Sequence, residues 1–388
     1  MIPYGRQDIS QEDIDAVVAV LRSDFLTQGP AVTSFETAVA GWVNARHAVA
    51  VNSATSALHI ACMALGLGPG DVLWTAPNTF VASANCALYC GAEVDFVDID
   101  PCTWNISVAQ LREKLATAKS AGRVPKIVIP VHFSGQPTAQ EEIYDLANEY
   151  GFRVIEDASH SVGASRNGEP VGSCRWSDIT VFSFHPVKII TSAEGGMALT
   201  NDDGLAERMR MFRSHGITRD PDLLIAEKNV PAPAWYYEQQ LLGYNYRLTD
   251  VHAALGESQL RRIESFVERR NTLAKRYDSA LQGLEVDLPT VMEGNRSAFH
   301  IYVIRLKGDA KRRHREIFDA LRARGIGVNL HYLPVHLQPY YQGLGFREGY
   351  CPESEAHGKT AITLPLHAGL SDSDQDAVVA AVREVLAA

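Results

Sequence analysis

Lys188 is the lone lysine in Asp178-Ile-Thr-Val-Phe-Ser-Phe-His-Pro-Val-Lys-Ile-Ile-Thr-Ser-Ala-Glu-Gly-Gly196. An amine flanked by Val187, Ile189 and Ile190 is expected to be partly desolvated. That lowers its pKa and makes the neutral, nucleophilic form accessible near pH 7, which is what a lysine forming a Schiff base needs. The competing reading is a solvated loop lysine, the state of most lysines. A second candidate is Asn52-Ser-Ala-Thr-Ser-Ala-Leu-His59, where Ser53, Ala54, Thr55 and Ser56 open a helix. Free N–H groups and the positive end of the helix dipole there suit a phosphate, though ordinary N-capping explains the same residues. Asp157, in Val-Ile-Glu-Asp-Ala-Ser-His160, ends a strand. Either it caps the next turn, or, against a pyridine nitrogen, it keeps the ring protonated and electron-withdrawing. Phe80 is either the aromatic that stacks on such a ring or a core residue.

The elements that position these residues alternate. Ser10 and Asp13 form a capping box that opens a helix through about residue 21, with Ile14, Val17, Val18 and Leu21 on one face. Thr33 or Ser34 caps a second helix to about Val43, and a short strand over 48–51 precedes the serine-rich helix. Strands at 72–75, 93–97, 126–131 and 153–156 then alternate with helices at 81–89, 108–118 and 139–150. Short apolar strands separated by helices predict an α/β fold with a mostly parallel sheet covered on both faces, and ligands gather beyond the carboxyl ends of such strands. Strands at 179–184 and 197–200 flank the lysine turn, and a basic helix spans 205–213. Gly66-Leu-Gly-Pro-Gly70 follows a helix and so reads as a C-cap and turn, not a dinucleotide loop. A loop with Pro221, Pro231 and Pro233 leads to one long helix over 250–281, with Leu255, Leu260 and Ile263 inward and its Arg and Glu on a solvated face. The texture then becomes α+β, with strands at 300–306 and 328–332, a helix at 311–324 and a closing helix from Ser371. The expected division is 1–250, a large α/β domain, and 251–388, a connecting helix with a small α+β domain.

The 388 residues are 46% hydrophobic, enough for a packed core, and a net charge of −10 argues against nucleic acid or an anionic membrane as partner. Six cysteines without a C-x-x-C pair, no apolar leader in Met-Ile-Pro-Tyr-Gly-Arg and no long apolar run predict a reduced, cytoplasmic protein with no metal.

Phe182-Ser-Phe-His-Pro-Val-Lys188 through Ala193-Glu-Gly-Gly196, with Glu156-Asp157, Asn52-Ser-Ala-Thr-Ser-Ala-Leu58, Phe212-Arg-Ser-His-Gly216 and Tyr244-Asn-Tyr-Arg-Leu248, resembles the DegT/DnrJ/EryC1/StrS sugar aminotransferases over essentially the whole chain. Leu26-Thr-Gln-Gly29, Asn52 to Ser56, Ala193 to Gly196 and His331-Tyr-Leu-Pro334 most resemble the branch acting on a UDP-linked 4-keto-sugar in pseudaminic acid biosynthesis. The resemblance implies the fold type I aminotransferase architecture, pyridoxal 5′-phosphate as cofactor, L-glutamate as amino donor and a homodimer with shared active sites. It implies that Lys188 is the Schiff-base lysine and Asp157 the pyridinium partner. It assigns Ala54, Thr55 and Ser183 to the phosphate, and Asn245 to the phosphate of the other subunit's cofactor. It further implies that His160 lies over or beside the ring and that Tyr4, Asp24, Phe25, Leu26, Thr27, His331, Tyr332, Leu333 and Pro334 contact the nucleotide-sugar. Relatives with histidine at the lysine position are dehydratases, so Lys188 favours amino transfer. The alternative substrates are dTDP- or GDP-linked 4- or 3-keto-sugars. His185 is left with a structural role. A nicotinamide-dependent dehydratase or epimerase would carry a Tyr-x-x-x-Lys pair, and no lysine here has a tyrosine four residues earlier. A binding protein that has kept the cofactor fold is disfavoured by Lys188, Asp157 and Ser183 occurring together.

Overall fold

The structure is a computed structural model that describes residues 1–225 and 233–387, so Pro231 lies outside the described residues. The expected capping box is present: the Ser10 N–H bonds Asp13, the Asp13 N–H bonds the Ser10 hydroxyl, and helix α1 runs Gln11–Leu21. Helix α2, Pro30–Val43, has Gly29 in the cap position, four residues before the expected Thr33 and five before Ser34. Its cap comes from far along the chain, because the Asp250 carboxylate accepts the Gly29 and Ala31 N–H groups at 2.8 and 2.9 Å. Strand β1, His47–Val51, runs into α3, Ala54–Ala64. There follow β2 (Val72–Thr75), α4 (Ala82–Tyr89), β3 (Glu93–Phe96), α5 (Val108–Ser120), β4 (Ile127–Ile129), α6 (Gln140–Tyr150), β5 (Arg153–Asp157), β6 (Ile179–Ser183), β7 (Gly196–Thr200) and α7 (Asp203–Arg213).

These strands form a seven-stranded sheet in the order β1-β7-β6-β5-β4-β2-β3. The sheet is mostly parallel, as expected; β7 runs against both its neighbours. The segment between β6 and β7 contains no helix to carry the chain back across the sheet, so the two strands close as a hairpin. Side chains alternate between layers. Val49, Val51, Ile179 and Val181 join the core under α3, whereas Ala48, Ala50 and Phe182 join the core under α2. Gly66, at φ 73°, ends the turn after α3, in keeping with a helix C-cap.

The long helix expected over 250–281 is two: α8 (Asp250–Leu260) and α9 (Ile263–Leu281). At the break the Arg262 guanidinium bonds Asp8 and Asp13, at 2.8 and 2.6 Å, and Gln259 also reaches Asp13. The expected solvated face of this region also contains an exception. Arg270 is 1% exposed and donates to the carbonyls of Phe299, His300 and Leu366. Among the described residues no acid pairs with it, and burial pushes its pKa down to about 10. The C-terminal layer has β8 (Val286–Asp287), β9 (Tyr302–Leu306), α10 (His314–Ala323), β10 (Ala361–Leu364) and a closing helix, Asp372–Ala387, with β9 central in a three-stranded antiparallel sheet. The strand expected at 328–332 is absent. That segment makes one isolated bridge, Asn329 to Thr363, and then leaves the sheet as Val335 N–H bonds Pro77 O in the larger layer.

Candidate active site

A cavity of about 530 Å³, within the usual size of a small-molecule site, opens beyond the carboxyl ends of β1, β5 and β6. It is lined by Ala54, Thr55, Phe80, Asp157, His160, Ser183 and Lys188, together with Tyr4, His331, Tyr332 and Leu333.

Each wall follows from local structure. Ser53 caps α3, its hydroxyl accepting the Ser56 N–H at 3.1 Å. The first-turn N–H groups of Ala54 and Thr55 have no partner within the helix and remain for an anion. A Cβ on Gly196 would lie 2.4 Å from Ala54 N, so the absence of a side chain there lets β7 approach the mouth of α3. Ser183 ends β6 on the same rim. Lys188 sits in the hairpin turn, its N–H bonded to His185 O. Ile189 and Ile190 turn into the core, and His160, His300 and His331 lie close enough to feel the Lys188 charge. Burial lowers the Lys188 pKa to about 8, opposed in part by Asp157. Burial and the Lys188 charge also depress all three histidines, His331 to about 3, so they are neutral at pH 7.

At a pKa of about 8, the neutral fraction of the amine climbs from about a tenth at pH 7 to about nine-tenths at pH 9. Capture of an aldehyde at Lys188 by cofactor-free protein is therefore expected to rise about tenfold over that range, read by borohydride trapping. A rise that continued to about pH 10.5 would show an ordinary, solvated lysine instead.

Asp157 is buried. Its Oδ1 accepts the Ser159 N–H at 3.1 Å and its Oδ2 the Ser83 hydroxyl at 2.6 Å. The Tyr332 hydroxyl lies 3.0 Å from His160 Nε2, while His160 Nδ1 is buried with no partner. Phe80 is 60% exposed on the cavity rim and is not a core residue. Unpaired N–H groups, the buried His160 nitrogen, an open aromatic face, a buried acid and a partly neutral amine fit a phosphorylated pyridine aldehyde.

Other expected contacts lie elsewhere. Asp24, Phe25, Leu26 and Thr27 are exposed and do not line this cavity; Thr27 bridges Thr249, and Leu26 O accepts the Asp250 N–H. Asn245 is also exposed and pairs with Ser214. Pro334 lies next to the lining without entering it. His185, expected to be structural, is exposed and lines the cavity. Sequence reasoning missed Ser83 and His300. Ser83 follows Thr79 by four residues and Phe80 by three, a helical spacing that offered a signal. His300, at the approach to β9, had none.

A model described as the DegT/DnrJ/EryC1/StrS aminotransferase family matches residues 7–383. The chain is 37% identical over 391 residues to the spore coat polysaccharide biosynthesis protein SpsC of Bacillus subtilis (strain 168), covering 99% of this chain and 97% of that one. It is 36% identical over 375 residues to the UDP-4-amino-4,6-dideoxy-N-acetyl-beta-L-altrosamine transaminase of Campylobacter jejuni subsp. jejuni serotype O:23/36 (strain 81-176), covering 96% and 94%. Among solved structures, Helicobacter pylori PseC, an aminotransferase involved in the biosynthesis of pseudoaminic acid, matches with a TM-score of 0.90 at 29% identity, covering 100% and 99%.

Proposed function

We propose, from the premise that this chain belongs to the DegT/DnrJ/EryC1/StrS aminotransferase family, that it converts a UDP-linked 4-keto-6-deoxy sugar, with an acetamido group at C2, to the 4-amino sugar. L-glutamate is the proposed donor, and the pathway is pseudaminic acid or a related surface glycan, in the cytoplasm. The enzyme is a sugar aminotransferase, and its cofactor is pyridoxal 5′-phosphate. When bound, the cofactor supplies an aldehyde that condenses with amines and a ring that accepts the electron pair released at the amine-bearing carbon.

The observation that carries the residue roles is one cavity holding a lysine with a pKa near 8, a buried strand-end aspartate and an unpaired helix N-terminus. In this reading Lys188 holds the aldehyde until a substrate amine replaces it. Its freed Nζ then takes the proton from the donor Cα and, in the second half-reaction, delivers one to the sugar C4. Asp157 holds a proton on the ring nitrogen. Ala54, Thr55 and Ser183 bind the phosphate, and Phe80 and His160 contact the ring. Tyr4, His331, Tyr332 and Leu333 face the sugar. Thr27 bridges Thr249, four residues after Asn245, and the surface of these two segments exposes Phe25, Leu26 and Leu242. We assign that surface to a homodimer contact that delivers these residues to the partner's cavity.

The Campylobacter relative supports the UDP-sugar assignment and the Helicobacter structure the pseudaminic acid pathway, whereas the Bacillus relative, at similar identity to the Campylobacter one, supports only a polysaccharide pathway. The test is to load the protein with pyridoxamine 5′-phosphate and follow the return of yellow colour on adding UDP-, dTDP- and GDP-linked keto-sugars. The expected result is fastest turnover with the UDP-linked 2-acetamido 4-ketone. Failure with every UDP-linked ketone would sink this assignment and leave the aminotransferase intact.

A further inference from the structure

We propose that Ser83 is a positioning residue for Asp157: its hydroxyl, backed by Thr79, fixes the carboxylate and keeps the shared proton on the ring nitrogen. The inference rests on the reading that Asp157 meets that nitrogen. Ser83 is fully buried on α4, 2.6 Å from Asp157 Oδ2 and 2.8 Å from Thr79 Oγ1. An ionised carboxylate only accepts, so Ser83 donates to Asp157 and its oxygen is left to accept the Thr79 hydroxyl. The chain of donors therefore runs Thr79 to Ser83 to Asp157. The other hydrogen-bond contact of the Ser83 hydroxyl, with Phe80 O, is longer at 3.4 Å.

The geometry has two consequences. With Ser159 N–H on Oδ1 and Ser83 on Oδ2, rotation of the carboxylate would break both bonds, so its plane is fixed. Each oxygen keeps acceptor capacity for a ring N–H. Donors to a buried carboxylate also stabilise its ionised form, strongly where water is excluded. Without Ser83 the carboxylate keeps only the Ser159 N–H and can turn away from the ring nitrogen whose proton it would hold. The ring then accepts the electron pair less well. Phe80 precedes Ser83 by three residues, so one short stretch of chain sets both the aromatic at the cavity rim and the acid.

The experiment compares wild type with Ser83→Ala, Ser83→Thr and Ser83→Cys holoenzymes, each carrying cofactor labelled with ¹⁵N in the ring. The wild type is expected to show a protonated nitrogen. Ser83→Ala is expected to move the ¹⁵N signal toward the unprotonated position and lower kcat by about 10- to 100-fold, with little change in KM. Ser83→Thr restores both readouts. Should Ser83→Ala fail to fold, Ser83→Cys, which keeps the volume with a weaker donor, is expected to show a partial shift. A ¹⁵N signal and kcat unchanged in Ser83→Ala, or in Ser83→Cys where that variant stands in, would overturn the inference and leave Asp157 in place. An unprotonated nitrogen already in the wild type would overturn the Asp157 assignment and the inference with it.

Discussion

Replacing Lys188 by alanine is expected to remove both half-reactions, lowering turnover by roughly 10⁴-fold or more, because one amine serves as aldehyde anchor and proton carrier. The fold should survive, since Lys188 Nζ makes no ion pair among the described residues and Ile189 and Ile190 anchor the turn. Borohydride treatment followed by peptide mass analysis supplies the second readout: wild type should carry the cofactor on the peptide containing Lys188, and the variant should carry none. Wild-type turnover in Lys188→Ala would make the assignment wrong, whatever the family.

The second large effect concerns stability. Arg270→Met keeps most of the buried stem but leaves the Phe299, His300 and Leu366 carbonyls without their guanidinium donor. Unpaired buried carbonyls and the loss of a charged donor outweigh the relief of burying less charge, so the variant is expected to be about 3 kcal/mol less stable. Urea unfolding of the cofactor-free protein measures this. An unchanged midpoint would mean that the three carbonyls find other donors. Because His300 lines the cavity, slower cofactor uptake should accompany the loss.

What could be read from sequence depended on whether the cause was local. The Ser10–Asp13 box, the cap at Ser53 and the β/α alternation are written within a few residues, and the parallel sheet and its strand-end cavity follow from them. The start of α2 was misplaced because its cap is Asp250, and the α8–α9 break was invisible because Arg262 is held by Asp8 and Asp13. Arg270 looked like its solvated neighbours, since its carbonyl partners come from three distant positions. The segment at 328–332 has a strand-like composition, but its later residues are drawn toward the larger layer, where Tyr332 meets Asn78 and His160. The types and spacing of Lys188, Asp157 and Thr55 pointed to one sheet edge. Ser83 and His300 meet that edge only after folding.

Gly196 pairs with Val51 on one side and Ser183 on the other. A single residue thus joins the strand that leads to the helix mouth with the hairpin that carries the lysine. A partly folded chain in which β7 has paired with β6 alone would present the amine and Ser183 without the helix mouth at Ala54 and Thr55. Such long-range pairings form late, so cofactor uptake during refolding should lag behind helix formation. The appearance of bound colour would then clock the closing of the sheet edge, and added cofactor would act as a latch that favours the fully paired state over its precursors.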